Sequence, residues 1–227
     1  LQKSNIEWIA NPNGTTPGYT SNPITGCKRG CPYCYARRLA HRFGRSFEPA
    51  FHPAELEAIQ KHKKPVGIFL GSMGEMFADD IPKSWTEAVM KTIRACPQHR
   101  FYTLTKNPAR LREFNPWPDN AYVGMSVETS SQLTRLGYKD AMAQVDAPVR
   151  FISAEPLLGP WSGPMPTWCG WIIIGQQTPI SIRSSPKMSW VQEILVAASN
   201  AGNIPVFMKN NQQPLLTGAW TGWKLRQ

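Results

Sequence analysis

The hydrophobic positions of the chain fall into short, nearly continuous runs that alternate with longer amphipathic segments. Such runs, rich in β-branched and aromatic residues, end abruptly in polar or small residues at 66–73, 100–106, 121–128, 149–156, 170–177 and 205–210. Continuous rather than alternating apolar residues are typical of strands that are covered on both faces, as in a parallel sheet. A further strand is predicted at about 19–24, before the first cysteine.

Helical periodicity marks the segments between these strands. The segment 82–96 opens with a proline, which a first helical turn tolerates, and 189–202 closes on a glycine suited to a helix end. A third helix is predicted at 129–145, and another begins directly after Cys34. This alternation predicts βα units, and six or seven of them suit an α/β fold with a full or partial barrel of parallel strands. The Pro- and Trp-rich stretch 159–171 is predicted to be a long ordered loop.

Polar or charged residues follow the predicted strands at equivalent points. In βα barrels, functional sites gather at the carboxyl ends of the strands. Taken singly, each residue is as typical of a turn or a cap, but the repetition predicts a site there. The residues are Ser72, Gly74, Glu75, Thr105, Lys106, Ser126, Glu128, Ser153, Glu155, Gln176, Gln177, Lys209 and Asn210.

The charge of the chain favours a polyanionic partner. Lys and Arg number 25 against 15 Asp and Glu, which gives a net charge of +10. Such an excess favours nucleic acid first, and a solubilising surface is the alternative that the sequence leaves open. The charge is concentrated at Arg37, Arg38, Arg42 and Arg45, and again at 61–64.

The sequence also predicts where the protein works. The 227 residues contain no apolar run long enough to span a membrane, and the first residues show no apolar secretion signal. An odd number of cysteines, five, without such a signal indicates a reducing interior. We therefore expect a soluble, cytoplasmic protein with a single domain over residues 1–227.

Three of the cysteines, Cys27, Cys31 and Cys34, form a C-x3-C-x2-C motif. A structural zinc ion needs four ligands, and on a helix His41 would lie about 10 Å beyond Cys34, so the fourth would be Cys96 or Cys169. A [4Fe–4S] cluster normally takes four thiolates, and three leave one iron open to a ligand outside the protein. Chance grouping of inert thiols is the third alternative.

With Tyr33 directly before its last cysteine, the motif resembles the signature of radical S-adenosylmethionine (SAM) enzymes. More narrowly, the chain resembles a phage- and prophage-borne family of uncharacterised radical-SAM-like proteins. The matching pieces cover almost the whole chain in order: 3–8, 22–27, 34–42, 72–77, 97–111, 124–128, 149–160 and 171–175.

The resemblance implies a partial (β/α)6 barrel of TIM type, with a cluster loop at 26–35 and an irregular C-terminal tail at about 210–227. Cys27, Cys31 and Cys34 would hold a [4Fe–4S] cluster whose open iron binds SAM. A one-electron reductant of the flavodoxin or ferredoxin type would drive cleavage of SAM to methionine and a 5′-deoxyadenosyl radical, which abstracts hydrogen from a substrate.

The resemblance also implies roles for residues around the cluster. Tyr33 would lie beside the adenine, and Gly74 and Glu75 would receive the methionine amino group. Ser126 and Glu128 would contact the ribose or the carboxylate, and Ser153 and Glu155 would flank the adenine. The family often has Gly-Gly-Glu after the sixth run, whereas this chain has Gln176 and Gln177. Its stretch before the first cysteine is also longer and richer in Gly and Pro.

Four further residues are candidates for binding or chemistry. Lys106 and Lys209 would bind an anionic substrate or the SAM carboxylate, and Arg37 would bind substrate near the cluster. Cys169 would return a hydrogen atom, with an inert buried thiol as the alternative. The expected substrate is a nucleic acid or nucleotide. The alternatives are a small molecule or peptide, or a metal-binding structural or nucleic-acid-binding protein that does not cleave SAM.

Overall fold

The predicted strands lie in one eight-stranded sheet in the computed structural model, which describes residues 1–178 and 185–212. The strands of this sheet are β1 (Gln2–Lys3), β2 (Tyr19–Ser21), β5 (Gly67–Leu70), β6 (Arg100–Thr105), β7 (Ala121–Ser126), β8 (Val149–Ala154), β9 (Trp171–Ile174) and β10 (Val206–Met208). Two short strands outside it, β3 (Ile24–Thr25) and β4 (Ala50–Phe51), pair with each other.

The order of the sheet is β1-β2-β5-β6-β7-β8-β9-β10. The seven strands from β2 to β10 pair in parallel, and β1 adds an antiparallel edge to β2. In residues 1–178 and 185–212, β1 and β10 remain the two edges, so the sheet is open. The predicted α/β class with a parallel, partial barrel-type sheet is confirmed.

The helices mostly match the predicted periodic segments. They are α1 (Tyr35–Arg42), α2 (Pro53–Lys61), α3 (Lys83–Ala95), α4 (Ser131–Arg135), α5 (Tyr138–Ala143) and α6 (Met188–Asn200), with 3₁₀ helices at Pro108–Phe114 and Asn210–Gln212. The single helix predicted at 129–145 is two helices, because Gly137 between them has a φ of +66°. Helix α2 was not predicted, since it buries only Leu56 and Ile59.

Both faces of the sheet are covered, which explains the continuous hydrophobicity of its strands. Along β5, Ile68 and Leu70 pack into the larger core, which includes residues of α2, α3 and α6. Phe69 points to the opposite face and joins a smaller cluster with Trp8 and Tyr102. A strand between two apolar layers needs apolar side chains at every position.

The Pro- and Trp-rich stretch lies between β8 and β9 and contains no helix or strand from 159 to 170. Its Trp161, Met165 and Trp168 are buried, so the loop is packed as predicted. Of the tail predicted at 210–227, residues 213–227 lie outside the described residues. None of the helices described is long and apolar enough to cross a membrane.

Candidate functional site

A cavity of about 530 Å³ lies at the carboxyl ends of the parallel strands, beside the cysteine loop. This volume falls within the range of roughly 300–1,000 Å³ that is usual for small-ligand sites. Among the residues predicted at the strand ends and in the cysteine loop, those that line it are Cys27, Cys31, Tyr33, Cys34, Ser72, Gly74, Glu75, Thr105, Lys106, Ser126, Ser153, Glu155, Gln176, Gln177 and Lys209. The prediction that the polar residues at the carboxyl ends of the strands lie together therefore holds for most of them.

The three thiols are half-buried, and none of them forms a disulfide. Cys34 is the N-cap of α1, where its sulfur accepts a hydrogen bond from the amide of Arg37 at 3.4 Å. The sulfur of Cys27 accepts one from the amide of Arg29 at 3.3 Å. Burial raises the pKa of the Cys27 thiol, and the hydrogen bond from Arg29 opposes that rise. A metal that binds the Cys27 sulfur as a thiolate must therefore displace its proton.

Two glycines bring the cysteine loop against the loop that follows β5. The amide of Gly26 donates to Met73 O at 2.9 Å, and the amide of Glu75 donates to Gly26 O at 3.2 Å. Gly26 has a φ of +82°, and a Cβ there would lie 2.2 Å from a backbone oxygen of Glu48. A Cβ on Gly74 would lie 2.8 Å from the oxygen of Ile24. Glycine at 74 therefore lets the two loops meet, and glycine at 26 lets the cysteine loop pass close to Glu48.

Two arginines tie the cysteine loop to backbone carbonyls. The Arg37 guanidinium donates to Cys27 O at 2.6 Å and lies 5.1 Å from the ring centroid of Phe47. Arg37, predicted to bind substrate, does not line the cavity. Arg29 donates to Lys106 O at 2.8 Å and was missed by sequence reasoning, although its place between two cysteines was a signal.

Glu75 is a buried carboxylate that receives hydrogen bonds from three donors. The hydroxyl of Thr105 lies 2.8 Å from Oε1, the amide of Phe77 lies 3.1 Å from Oε1, and the amide of Lys106 lies 2.8 Å from Oε2. Burial raises the pKa of Glu75, and these hydrogen bonds act in the opposite direction. The carboxylate ties the loop after β5 to the end of β6, and it also lines the cavity.

Glu128 does not line the cavity, but it contacts two residues that do. The Tyr33 hydroxyl donates to it, and Lys106 Nζ lies 3.0 Å from its Oε1. The same Nζ lies 5.4 Å from the Tyr33 ring centroid. Gln132 donates to the other carboxylate oxygen at 3.0 Å. Glu128 is thus already bonded by the protein and positions Tyr33 and Lys106.

The pKa of Glu128 is lowered, because burial, which raises it, is outweighed by Tyr33, Lys106 and Gln132. A carboxyl with a lowered pKa stabilises the fold above its unfolded pKa of about 4.3, and this contribution is lost as the pH falls through the folded pKa. We expect Glu128→Gln to lower the free energy of unfolding by about 1–2 kcal/mol at neutral pH. The deficit should shrink below about pH 4, as measured by urea unfolding of the protein without added metal.

Glu113→Gln is the matched control for this prediction. Glu113 is 40% exposed and lies 3.8 Å from the guanidinium of Arg110. We expect little change in its unfolding free energy at either pH. A Glu128→Gln deficit that stays constant between neutral and acidic pH would contradict the assigned role of the carboxylate.

On the opposite side of the cavity, Glu155 forms an ion pair with Lys209. A Cβ on Gly175 would lie 2.8 Å from the carboxyl carbon of Glu155, so glycine leaves room for this pair. Gln176 donates through its side-chain amide to Asn211 O and accepts from the Ser185 hydroxyl at 3.0 Å. The Gly-Gly-Glu of the resemblance would place glycine at 176 and the acid at 177, and a glycine at 176 could form neither of these side-chain bonds.

Cys169 lies away from the three thiols. It lies two residues before β9, at the amino-terminal end of the strand, whereas the cavity lies at the carboxyl ends. Its sulfur donates to Trp171 O at 3.3 Å, and burial raises the pKa of the thiol to about 12. It lines a different cavity, of about 860 Å³, between the 159–170 loop and α6. The predicted hydrogen-donor role has no geometric basis here.

Part of the cavity lining comes from the amino-terminal segment, which the sequence analysis identified only as a piece that matches the resembled family. Trp8 lines the cavity and packs edge-on against Phe69, with ring centroids 5.0 Å apart. Next to it, Glu7 accepts a hydrogen bond from the amide of Asn210 at 2.8 Å. The two ends of the described chain therefore meet beneath the cavity.

Within residues 1–178 and 185–212, no group of three or more His, Cys, Asp or Glu side chains converges to hold a single metal ion. Zinc bound by the three cysteines and a fourth protein ligand is therefore not preformed in this part of the chain. In an iron–sulfur cluster each thiolate binds its own iron, so the thiols need not converge on one point.

Fold and cavity together define an α/β protein with an open parallel sheet and a cavity of small-ligand size at the carboxyl ends of its strands. The chain belongs to the family described as "Protein of unknown function (DUF5131)", whose model matches residues 3–220. A solved structure, "Spore photoproduct lyase complexed with dinucleoside spore photoproduct", is similar with a TM-score of 0.43 and 12% identity. The match covers 78% of this chain and 49% of that one. No curated protein matches the sequence.

Proposed function

We propose that the protein is a radical SAM enzyme that holds a [4Fe–4S] cluster on Cys27, Cys31 and Cys34. The observation that carries the proposal is the arrangement of these thiols. All three are half-buried, unpaired with each other and open on one cavity, whose other walls carry carboxylates, hydroxyls and lysines. When bound, the cluster supplies the electron that cleaves SAM to the 5′-deoxyadenosyl radical, which abstracts hydrogen from the substrate.

The surroundings of the thiols fit an anionic cluster. Cys34 caps the amino terminus of α1, where the partial positive charge of the helix favours anions. Arg29 and Arg37 add two guanidinium groups to the same loop. Three thiolates also match a cluster that keeps one iron for a ligand outside the protein, whereas a structural zinc site would need a fourth protein ligand.

The rest of the cavity fits an amino acid joined to a nucleoside. The Oε2 atom of Glu75 accepts one hydrogen bond from the protein and has a lone pair left for an ammonium group. Lys106 and Lys209 each pair with a glutamate and keep further N–H donors for the carboxylate of a ligand, while Ser126 and Ser153 supply hydroxyls. The apolar lining of the cavity supplies a surface on which a nucleoside base can pack.

The test is anaerobic reconstitution with iron and sulfide, followed by dithionite and SAM. We expect about four irons per chain and formation of 5′-deoxyadenosine. Assembly of the cluster with cleavage of SAM at a different bond would retain the cluster and overturn the radical assignment. A protein that takes up only zinc and leaves SAM intact would favour the alternative class, a metal-binding protein without SAM cleavage.

The proposed substrate is a nucleic acid or nucleotide, since the net charge is +10 and arginines follow the last cysteine directly. A small molecule or peptide is the second candidate, because the cavity is of ordinary small-ligand size. In either case a one-electron reductant of the flavodoxin or ferredoxin type is the implied partner. Cytoplasmic location belongs to the same proposal, because a reducing compartment keeps the thiols free.

A further inference from the structure

Helix α1 carries an exposed apolar stripe. Tyr35, Leu39 and Phe43 follow one another at four-residue spacing, which places them on one side of the helix and its end. Their exposed fractions are 49%, 41% and 61%. They are three of the six large hydrophobic residues that are exposed in the described part of the chain. Such a concentration on one short helix marks an interaction surface.

The same surface is strongly basic. Arg38, Arg42 and Arg45 are exposed, and α1 contains no acidic residue. The Arg45 guanidinium lies 5.8 Å from the ring centroid of Phe43, and Arg38 donates to Thr178 O at 2.5 Å. Among the described residues, no carboxylate lies within 4.0 Å of these three guanidinium groups. Their charge is therefore available to a partner.

This surface is continuous with the cavity. Helix α1 begins directly after Cys34, and its first residue, Tyr35, lines the cavity as well as the outer surface. The Tyr35 hydroxyl donates to Ser72 O across the cavity mouth. A polymer that lies along α1 would therefore reach the site at the helix amino terminus.

We propose that the surface formed by Tyr35, Arg38, Leu39, Arg42, Phe43 and Arg45 binds single-stranded nucleic acid and leads a nucleotide into the cavity. This inference rests on the proposed function, because it specifies the substrate of the same site. Cations that track phosphates and aromatic rings that stack on bases are the two components of single-strand recognition. A duplex hides the base faces that Tyr35 and Phe43 would contact.

The charge pattern favours nucleic acid over an acidic protein. The cores of protein interfaces are depleted of charged residues, whereas here the arginines alternate with the apolar side chains along the whole helix. A phosphate backbone supplies a negative charge at every residue of the polymer and matches such alternation. An acidic protein that docks on α1 is therefore an outcome of the test rather than a second proposal.

The test is fluorescence anisotropy on the reconstituted full chain, without reductant, using labelled single strands of about 20 nucleotides and the corresponding duplexes. We expect single strands to bind with a salt-dependent affinity. Arg42→Gln combined with Arg45→Gln should lower the slope of log K against log salt by about 1.4, because two phosphate contacts are lost. Phe43→Ala should weaken binding about 5-fold or more through lost stacking.

The matched control is Lys64→Gln combined with Lys91→Gln, which removes the same charge from exposed residues elsewhere. An unchanged affinity of this control beside a weakened α1 variant would support the proposal. Equal weakening of both, tighter binding of duplex than of single strand, or no binding at all would overturn it. If the α1 variants lost affinity for an acidic flavodoxin but not for single strands, the surface would be assigned to a protein partner. That result would also overturn the proposal.

Assays of 5′-deoxyadenosine on the same preparations separate the two proposals. SAM cleavage without binding of single strands would overturn the α1 inference and leave the proposed function standing. Binding of single strands without SAM cleavage would overturn the function, and with it the claim that the strand is a substrate. Both results together, with the α1 variants still cleaving SAM on their own, are the expected outcome.

Discussion

Replacement of Cys31 by alanine is expected to abolish 5′-deoxyadenosine formation and to lower bound iron from about four atoms per chain to fewer than one. Two thiolates cannot hold the cluster that three thiolates hold, and in the described part of the chain no cysteine other than Cys27 and Cys34 lines the same cavity as Cys31. Iron and sulfide content, the visible absorbance of the reconstituted protein and a SAM cleavage assay measure the effect.

Cys96→Ala provides the matched control for Cys31→Ala, because Cys96 is buried at the end of α3 and does not line the cavity. Its replacement should leave iron content and SAM cleavage unchanged, at the expense of a modest loss of stability from the small void. Retention of four irons and of SAM cleavage by Cys31→Ala would show that the cysteine motif does not hold the cluster.

Replacement of Glu75 by glutamine is expected to lower the free energy of unfolding by about 2–3 kcal/mol. The groups that face this carboxylate in the protein, the amides of Phe77 and Lys106 and the hydroxyl of Thr105, all donate to it. A carboxylate accepts through both oxygens, whereas a glutamine would turn its own N–H₂ toward one of these donors. A buried donor left without an acceptor accounts for an effect of this size.

Urea unfolding at neutral pH measures the Glu75→Gln effect, with Glu57→Gln as the control. Glu57 is exposed on α2 and pairs only with Lys61, so its replacement should change stability little. A Glu75→Gln variant as stable as the wild type would mean that the three hydrogen bonds do not hold the cavity wall. In that case, SAM cleavage by the Glu75→Gln variant, measured under conditions in which the variant is fully folded, would report only on the contact between residue 75 and the ligand.

The fold was largely predictable, because buried parallel strands have a simple sequence pattern. Each of the six runs contains a strand, and three of the predicted helices occur as single helices. The exceptions have local causes. Helix α2 buries too few residues to produce periodicity, and the left-handed backbone of Gly137 divides the helix predicted at 129–145. Strands of two residues, such as β1 and β3, are too short to leave a pattern.

The candidate site was predictable as a set of positions but not as a set of contacts. Strand ends meet at one edge of a parallel sheet, so Ser126, Ser153 and Lys209 line the same cavity as expected. Whether a side chain faces that cavity or braces its wall depends on partners distant in sequence. Arg37 and Glu128 brace it, through Cys27 O and through Tyr33. Spacing along the chain carries no information about such long-range hydrogen bonds.

The contact between the two ends of the described chain constrains the order in which the fold can form. Glu7 meets Asn210 across a separation of 203 residues, and Trp8 packs near the rings of Phe151 and Trp171, which follow it far along the chain. The amino-terminal segment emerges from the ribosome first, so Trp8 can pack against Phe69 early, whereas its contacts with Phe151 and Trp171 form only after those residues have been made. The cysteine loop is likewise made long before Lys209. The cavity is therefore complete, and can bind its ligands, only after the last strand has been translated.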